Sequence, residues 1–300
     1  MLRQEGGLIA RVATASGNRR RRLSRIGVFL GCAMLAACAS GPKRVDAAAE
    51  ERAGKHYAVA LASFHTGMFE DAKLQLNKAL RIAPEHADSF YLIGMIRLHA
   101  AKTILDSVDD EACLRDEAAD RQRIRADRLH REAYDSFSSA ADRYVEGAAG
   151  RGRAYNSMSV VSLHFRELER ATAEAKRALD VEFYGERYSA YTNLGWAYYG
   201  AGDLVGALTE LRQAMTLNPD YCVGRYRLAR TYLEGQRFDE ALEEIARVVQ
   251  DARCPIQDAH RVQGVARLAL SQRDEARASF ESCMAVSPRS CLALDCQDLL

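Results

Sequence analysis

The sequence predicts an all-α protein: a right-handed superhelix of about six stacked helix pairs, finished by a C-terminal capping helix. Three observations predict it. Ala, Leu, Arg and Glu recur throughout while only 5 prolines occur in 300 residues, a composition that suits helices and leaves no Val/Ile/Thr-rich alternating run for a sheet. Small and large apolar residues also return in a fixed phase about every 34 residues, the mark of a repeat architecture. Finally, a proline or a turn closes each period where a second helix must stop.

The clearest unit starts at residue 188. Tyr191, Leu194-Gly195 and Tyr198 are followed by Gly202, Ala207, Leu211, Ala214 and Pro219. Gly195 and Ala207 are small enough for two helices to approach closely. Tyr198, Leu211 and Ala214 fill the seam, and Pro219 ends the second helix. This spacing, aromatic-x2-Leu-Gly-x2-Tyr, then Ala-x3-large, then Pro, resembles the tetratricopeptide repeat. The phase recurs at Leu228-Ala229, Tyr232, Ala241, Ile245 and Val248, and from 257 at Gly264, Ala276, Phe280, Cys283 and Pro288. Upstream, Ala154-Tyr155, Met158, Ala171, Ala175 and Ala178 mark a weaker unit. The first unit carries Ala60, Gly67, Ala72, Leu76, Ala79 and Pro84.

The second unit is irregular. Phe90, Ile93 and Gly94 begin a first helix in phase, yet Ala133, Phe137 and Ala140 arrive 61 residues after Ala72, an excess of 27. The insert, about residues 101–128, is highly charged (Asp109-Asp110-Glu111, Arg121, Arg123, Arg125). It reads either as a lengthened helical hairpin or as a loop, and charge runs of this kind usually face water. The superhelix is thus expected over 53–290, with residues 291–300 as the cap that covers the last apolar face.

The N-terminus reads as a processing signal and stands outside the fold. Arg19, Arg20, Arg21, Arg22 and Arg25 precede an apolar run from Ile26 to Ala37 that is too short to span a bilayer. It ends in Leu35-Ala36-Ala37-Cys38, which resembles a lipobox: small residues before the cut and a thiol to carry the lipid. Residues 1–37 are therefore expected to be a lipoprotein signal peptide, Cys38 the lipidated residue, and 38–52 a tether. Several acyl chains on Cys38 give stable anchoring. Ala39, by resemblance to the enteric sorting rule, implies the outer membrane and its periplasmic face.

Six cysteines fall in the folded part: Cys113, Cys222, Cys254, Cys283, Cys291 and Cys296. Export makes disulfides plausible. Cys222 and Cys254 stand at neighbouring ends of one antiparallel pair, and Cys283 stands where Cys296 of the cap would pack, so 222–254 and 283–296 are the working pairings. Zinc would want tight C-x2-C pairs with histidines. The spacings are wide and His260 alone is near, so no metal site is expected.

Chemistry is absent from the motifs. No H-E-x-x-H, phosphate-cradling glycine loop or G-x-S-x-G elbow occurs, so no catalytic residue and no cofactor is nominated. His65, His99 and His164 share one repeat position and read as polar rim residues rather than ligands. The 42 basic and 41 acidic residues nearly cancel, which points away from nucleic acid. No small-molecule substrate is implied.

The resemblance to tetratricopeptide proteins implies a protein partner in a concave groove lined by the first helices, with repeat positions five, nine and twelve among the main contributors. In this chain these are Tyr57, Leu61 and Phe64; Tyr91, Met95 and Leu98; Asn156, Val160 and Leu163. They continue as Thr192, Trp196 and Tyr199; Tyr226, Arg230 and Leu233; Arg261, Val265 and Leu268. The set is mostly aromatic and aliphatic and departs from the Lys/Asn carboxylate clamp. Such residues suit the capture of a helix or extended segment; packing between units is the competing use.

A lipobox followed by about six such units resembles the pilotin family of the type IV pilus secretin. That resemblance implies an outer-membrane lipoprotein that binds the secretin subunit and promotes its localisation and multimerisation. The insert and the cysteine-rich end depart from compact members of the family. A periplasmic adaptor for peptidoglycan enzymes, or a lipoprotein of outer-membrane β-barrel assembly, would carry the same anchor and repeats.

Overall fold

Alanine periodicity sets the spacing of the helices. Ala72, Ala133, Ala171, Ala207, Ala241 and Ala276, one on each second helix, are all fully buried. A computed structural model describes residues 46–110 and 112–300. The proposed signal peptide, Cys38, the tether up to residue 45 and Glu111 lie outside the described residues. Among the described residues there is no strand. Six helix pairs follow one another: α1 (Ala47–His65) with α2 (Phe69–Ile82), α3 (Ala87–Leu105) with α4 (Glu117–Arg143), and α5 (Ala149–His164) with α6 (Leu168–Leu179). They continue with α7 (Arg187–Gly200) and α8 (Leu204–Leu217), α9 (Cys222–Glu234) and α10 (Phe238–Gln250), α11 (Gln257–Ala269) and α12 (Arg273–Val286), and end on α13 (Cys291–Gln297). Each helix packs on its own partner and on the next pair, the nearest-neighbour stacking of a solenoid. No described helix is long and apolar enough to cross a membrane.

In five of the six pairs the seam sets a small residue against a large one; in the third, Ala175 takes the large residue's place. A Cβ on Gly94 would stand 2.5 Å from the Phe137 ring, and one on Gly195 would stand 2.7 Å from Leu211 Cγ and 3.1 Å from the Ala207 carbonyl. Gly264 meets Phe280 in the same way. Leu76, Phe137, Leu211, Ile245 and Phe280, each four residues after its alanine, are buried at these crossings. Interiors packed to this density feel a single methyl group.

Five of the six pairs share one turn. The residue after the first helix's cap takes the left-handed region: Gly67, Arg166, Gly202, Gln236 and Ser271, with φ from 57° to 81°. The next backbone N–H then reaches back to the first helix, as in Met68 to Ser63 (2.8 Å), Asp203 to Tyr198 (2.9 Å) and Arg237 to Tyr232 (2.9 Å). This is the Schellman closure, which satisfies otherwise orphaned carbonyls.

The second pair is where the insert enters. α3 runs on to Leu105 and passes through a π-helical turn, Asp106–Asp110. α4 then returns over 27 residues from the N-cap Asp116, which accepts from Ala119 N at 2.8 Å. The insert is thus a lengthened hairpin, and its charges serve one another. Arg123 reaches Asp109 and Asp120 at 2.8 Å each and donates to the Leu114 carbonyl at 2.5 Å.

The tether expected to reach residue 52 is corrected at its end. α1 begins at Ala47, with Asp46 Oδ1 accepting from Ala48 N at 3.0 Å. Asp-Ala-Ala-Ala-Glu-Glu is an N-cap followed by strong helix formers, and fully buried Ala53 anchors it against Ala79 and Ala83. At the other end, Ser290 caps α13, whose Cys296 and Ala293 cover the end of the stack next to Phe280 and Cys283. The structure brings the Cα atoms of Cys222 and Cys254 to 5.6 Å and those of Cys283 and Cys296 to 6.4 Å, within reach of the expected bridges. It also brings Cys113 beside Cys291, two residues that the sequence left without partners.

Candidate partner-binding groove

The repeat places residues three apart on one helix face, and α7 uses this to stack two rings. Trp196 and Tyr199 lie 4.4 Å apart and within 4° of parallel. From α9, the guanidinium of Arg230 lies 5.3 Å from the Trp196 ring and 5.8 Å from Tyr199, while Arg227 lies 5.2 Å from Trp196. Each such contact contributes about 0.5–2 kcal/mol, more as water is excluded. Asp258 on α11 anchors the far side: it accepts from Tyr226 Oη and from Arg261 Nε, both at 2.5 Å, and stands 3.7 Å from Arg230. Two guanidiniums and one phenol thus share one carboxylate. Arg227 has only neutral acceptors within reach, Asn193 Oδ1 at 2.8 Å and the Thr192 carbonyl at 3.4 Å. Burial pushes it down to about 10, so it stays charged at neutral pH. Burial, with Asp258 beside it, pushes the Tyr226 phenol well above its ordinary range.

A second cluster forms on α3 and α5. Tyr144 donates to Asp88 at 2.5 Å, Tyr91 tilts onto Phe137 at 5.5 Å, and Arg153 lies 5.8 Å from the Tyr91 ring. Here packing claims much of the surface. Tyr57, Phe64, Tyr91 and Met95 are half-buried against the cores of the first three pairs, with Phe64 edge-on to Phe69 at 5.7 Å.

Two of the expected groove residues are not open to a partner. Thr192 is fully buried and its hydroxyl donates to the Tyr188 carbonyl at 2.8 Å. Asn156 is 9% exposed; it donates to Ser189 Oγ at 3.0 Å and accepts from Asn193 at 2.9 Å, tying α5 to α7. Position five faces the neighbouring first helix, so long Tyr and Arg side chains emerge from it while short Asn and Thr stay covered. Val160, at position nine, is exposed. Arg227, Asn193 and Asp258 were missed because they lie off positions five, nine and twelve. The i,i+3 pairing of Arg227 with Arg230, matching Trp196 with Tyr199, was the available signal.

Other polar clusters have structural explanations. Glu50, His86 and Ser89 line up like a catalytic relay, with 4.0 Å from Glu50 to His86 Nε2 and 2.9 Å from Nδ1 to Ser89 Oγ. Ser89 is fully buried, however, and His86 Nδ1 accepts the Ser89 backbone N–H as the cap of α3. His65, His99 and His164 do not converge: His99 lies on Phe69 at 4.5 Å, while His164 stacks on His130 at 3.8 Å and bonds Asp127 at 2.9 Å. A cavity of about 270 Å³ opens between α4 and α5, lined by Arg131, Tyr134, Ser162, Phe165 and Arg170. Beneath it Glu174, 3% exposed, accepts from Tyr134 at 2.5 Å and Ser162 at 2.7 Å.

Residues 198–263 match the family model of the tetratricopeptide repeat. No curated protein matches the sequence. Among solved structures, PilF of Pseudomonas aeruginosa is similar at 18% identity with a TM-score of 0.59, over 84% of this chain and 100% of that one. PilW, described as a widely conserved type IV pilus biogenesis factor, is similar at 15% and 0.62, over 82% and 98%. The Cut9–Hcn1 hetero-tetramer of the APC/C aligns at 13% and 0.63, over 82% of this chain but 42% of the other. At these identities the likeness is one of fold. With the repeat signature matched in its C-terminal half and the same seam and turn recurring before and after it, the chain folds as a superhelix of tetratricopeptide-type helix pairs.

Proposed function

We propose that this chain is a non-enzymatic scaffold anchored by lipid on Cys38 to the periplasmic face of the outer membrane. Its groove binds a secretin subunit and promotes that subunit's localisation and assembly for type IV pilus biogenesis. The observation that carries the reading is the length of the match: the stack covers 100% of PilF and 98% of PilW, on a chain that reads Leu-Ala-Ala-Cys at 35–38. The aromatic and arginine cluster of α7 and α9 supports a protein partner, since such residues dominate binding hot spots.

Affinity purification of the lipoprotein from crosslinked envelopes tests the proposal, together with pilus assembly in a deletion strain. Recovery of a secretin and loss of pili are the expected results. Normal pili with no secretin recovered would retire the reading, and recovery of cell-wall enzymes or barrel-assembly proteins instead would move the scaffold to one of those systems.

A further inference from the structure

The charged insert meets the far end of the stack. Cys113, in the connection between α3 and α4, stands with its Cα 4.5 Å from that of Cys291, across 178 residues of sequence. The approach does not rest on sulfur alone. Ser287, in the turn before α13, donates to the Asp110 carbonyl at 2.5 Å, and the Arg115 guanidinium lies 3.7 Å from Cys291 Sγ. The tip is shaped to present Cys113. The π-helical turn ends α3, Leu114 N bonds back to the Val108 carbonyl at 2.7 Å, and Cys113 itself takes a φ of +43°, the left-handed region that L-residues seldom enter. On the other side Cys291 opens α13, and Cys296 of the same helix has its Cα 6.4 Å from that of Cys283 on α12.

We propose that Cys113 and Cys291 form a covalent cross-link that joins the second helix pair to the capping helix, so that the insert is an internal brace and not an arm for a partner. Contacts then run in a closed circuit: α3–α4, through the stack to α12, across α13, and back to the insert. The chemistry needs an electron acceptor. Two thiols lose two protons and two electrons as one S–S bond forms. A disulfide-donating protein takes the electrons through a mixed disulfide and leaves as the dithiol. An open repeat stack bends like a spring because each unit touches only its neighbours. A brace from the second pair to the cap removes that freedom and holds the groove at one curvature before any partner arrives.

The test uses the full chain, reduced and then reoxidised with oxidised glutathione as the disulfide donor. Peptide mapping without reductant is expected to recover one fragment carrying Cys113 joined to Cys291. Trypsin cleavage after exposed Arg115 is expected to be at least ten-fold faster in Cys113→Ser, with a larger radius of gyration by small-angle scattering. Cys291→Ser should behave alike, which guards against a folding defect peculiar to one variant. Free thiols at both positions in the reoxidised chain would overturn the proposal. So would a cross-link whose removal leaves cleavage and radius unchanged in both variants.

Discussion

The same substitution, glycine to alanine, should have opposite effects at two helical positions of this chain. Gly54 sits inside α1 with nothing within 4 Å of where a Cβ would be. Alanine there gains only helix propensity, about 1 kcal/mol, or a rise of roughly 2–4 °C in melting temperature for a domain of this size. Gly94 sits inside α3, where the new methyl carbon would lie 2.5, 2.7 and 2.9 Å from three atoms of the Phe137 ring. Phe137 is fully buried and packs among Ala133, Ala140 and Tyr91, so its ring has no vacant space to retreat into. Overpacking of this kind costs about 1–3 kcal/mol, which exceeds the propensity gain and leaves a net loss of about 1 kcal/mol. Thermal denaturation of the full chain measures both variants. Because a repeat stack can unfold in parts, amide exchange in α3 and α4 locates the Gly94 effect. The double variant Gly94→Ala with Phe137→Leu should recover part of the loss as a favourable coupling. If Gly94→Ala stabilises as much as Gly54→Ala, or leucine at 137 gives no relief, the small-against-large seam is not what sets the helix spacing.

Three further predictions concern the turn, the buried acid and the groove. Gln236 spends its life in the left-handed region at φ 57°, so Gln236→Gly should raise stability by a few tenths to about 1 kcal/mol in urea unfolding; a loss would mean its side chain matters more than its backbone. Burial raises the carboxyl of Glu174, with Tyr134, Ser162, Arg170 and Arg177 opposing the shift. The folded state therefore holds its proton at pH values where the unfolded chain has released it, and stability falls as pH rises from about 4.5 through the folded value. Glu174→Gln should remove that slope and be the more stable form at pH 7, which pH-dependent urea titrations of the two proteins will show; a variant less stable at pH 7 than at pH 4 would contradict it. Finally, Trp196→Ala and Tyr226→Ala should each weaken partner capture by about 2 kcal/mol, near 30-fold, with the circular dichroism of the fold retained, and unchanged capture would place the site off α7 and α9.

The helix pairs were readable because their crossings impose a residue size on the sequence. A close approach admits only Gly or Ala at one position and wants bulk four residues after the alanine, so Ala207 with Leu211 and Ala276 with Phe280 announce themselves. The groove was half readable. Trp196, Tyr199, Tyr226 and Arg230 come together as the phase requires, but the phase does not know side-chain length, and so Thr192 and Asn156 were placed on a surface they do not reach. The insert was readable only as an excess of charge and length. Nothing local to Cys113 says that its neighbour in space is Cys291, because that approach depends on the accumulated turn of the four helix pairs between them. The start of α1 was missed for a plainer reason: Ala47, Ala48 and Ala49 bury little, and short alanine runs read equally as slack.

That early start has a mechanical consequence. With α1 beginning at Ala47, a chain held at Cys38 has only residues 39–46 as a leash, and fully drawn out these reach about 29 Å. On the proposed anchor, the start of the first helix could therefore lie no farther than that from the lipid-bearing residue. Any client would be met at the membrane, where a protein destined to be inserted there must in the end arrive.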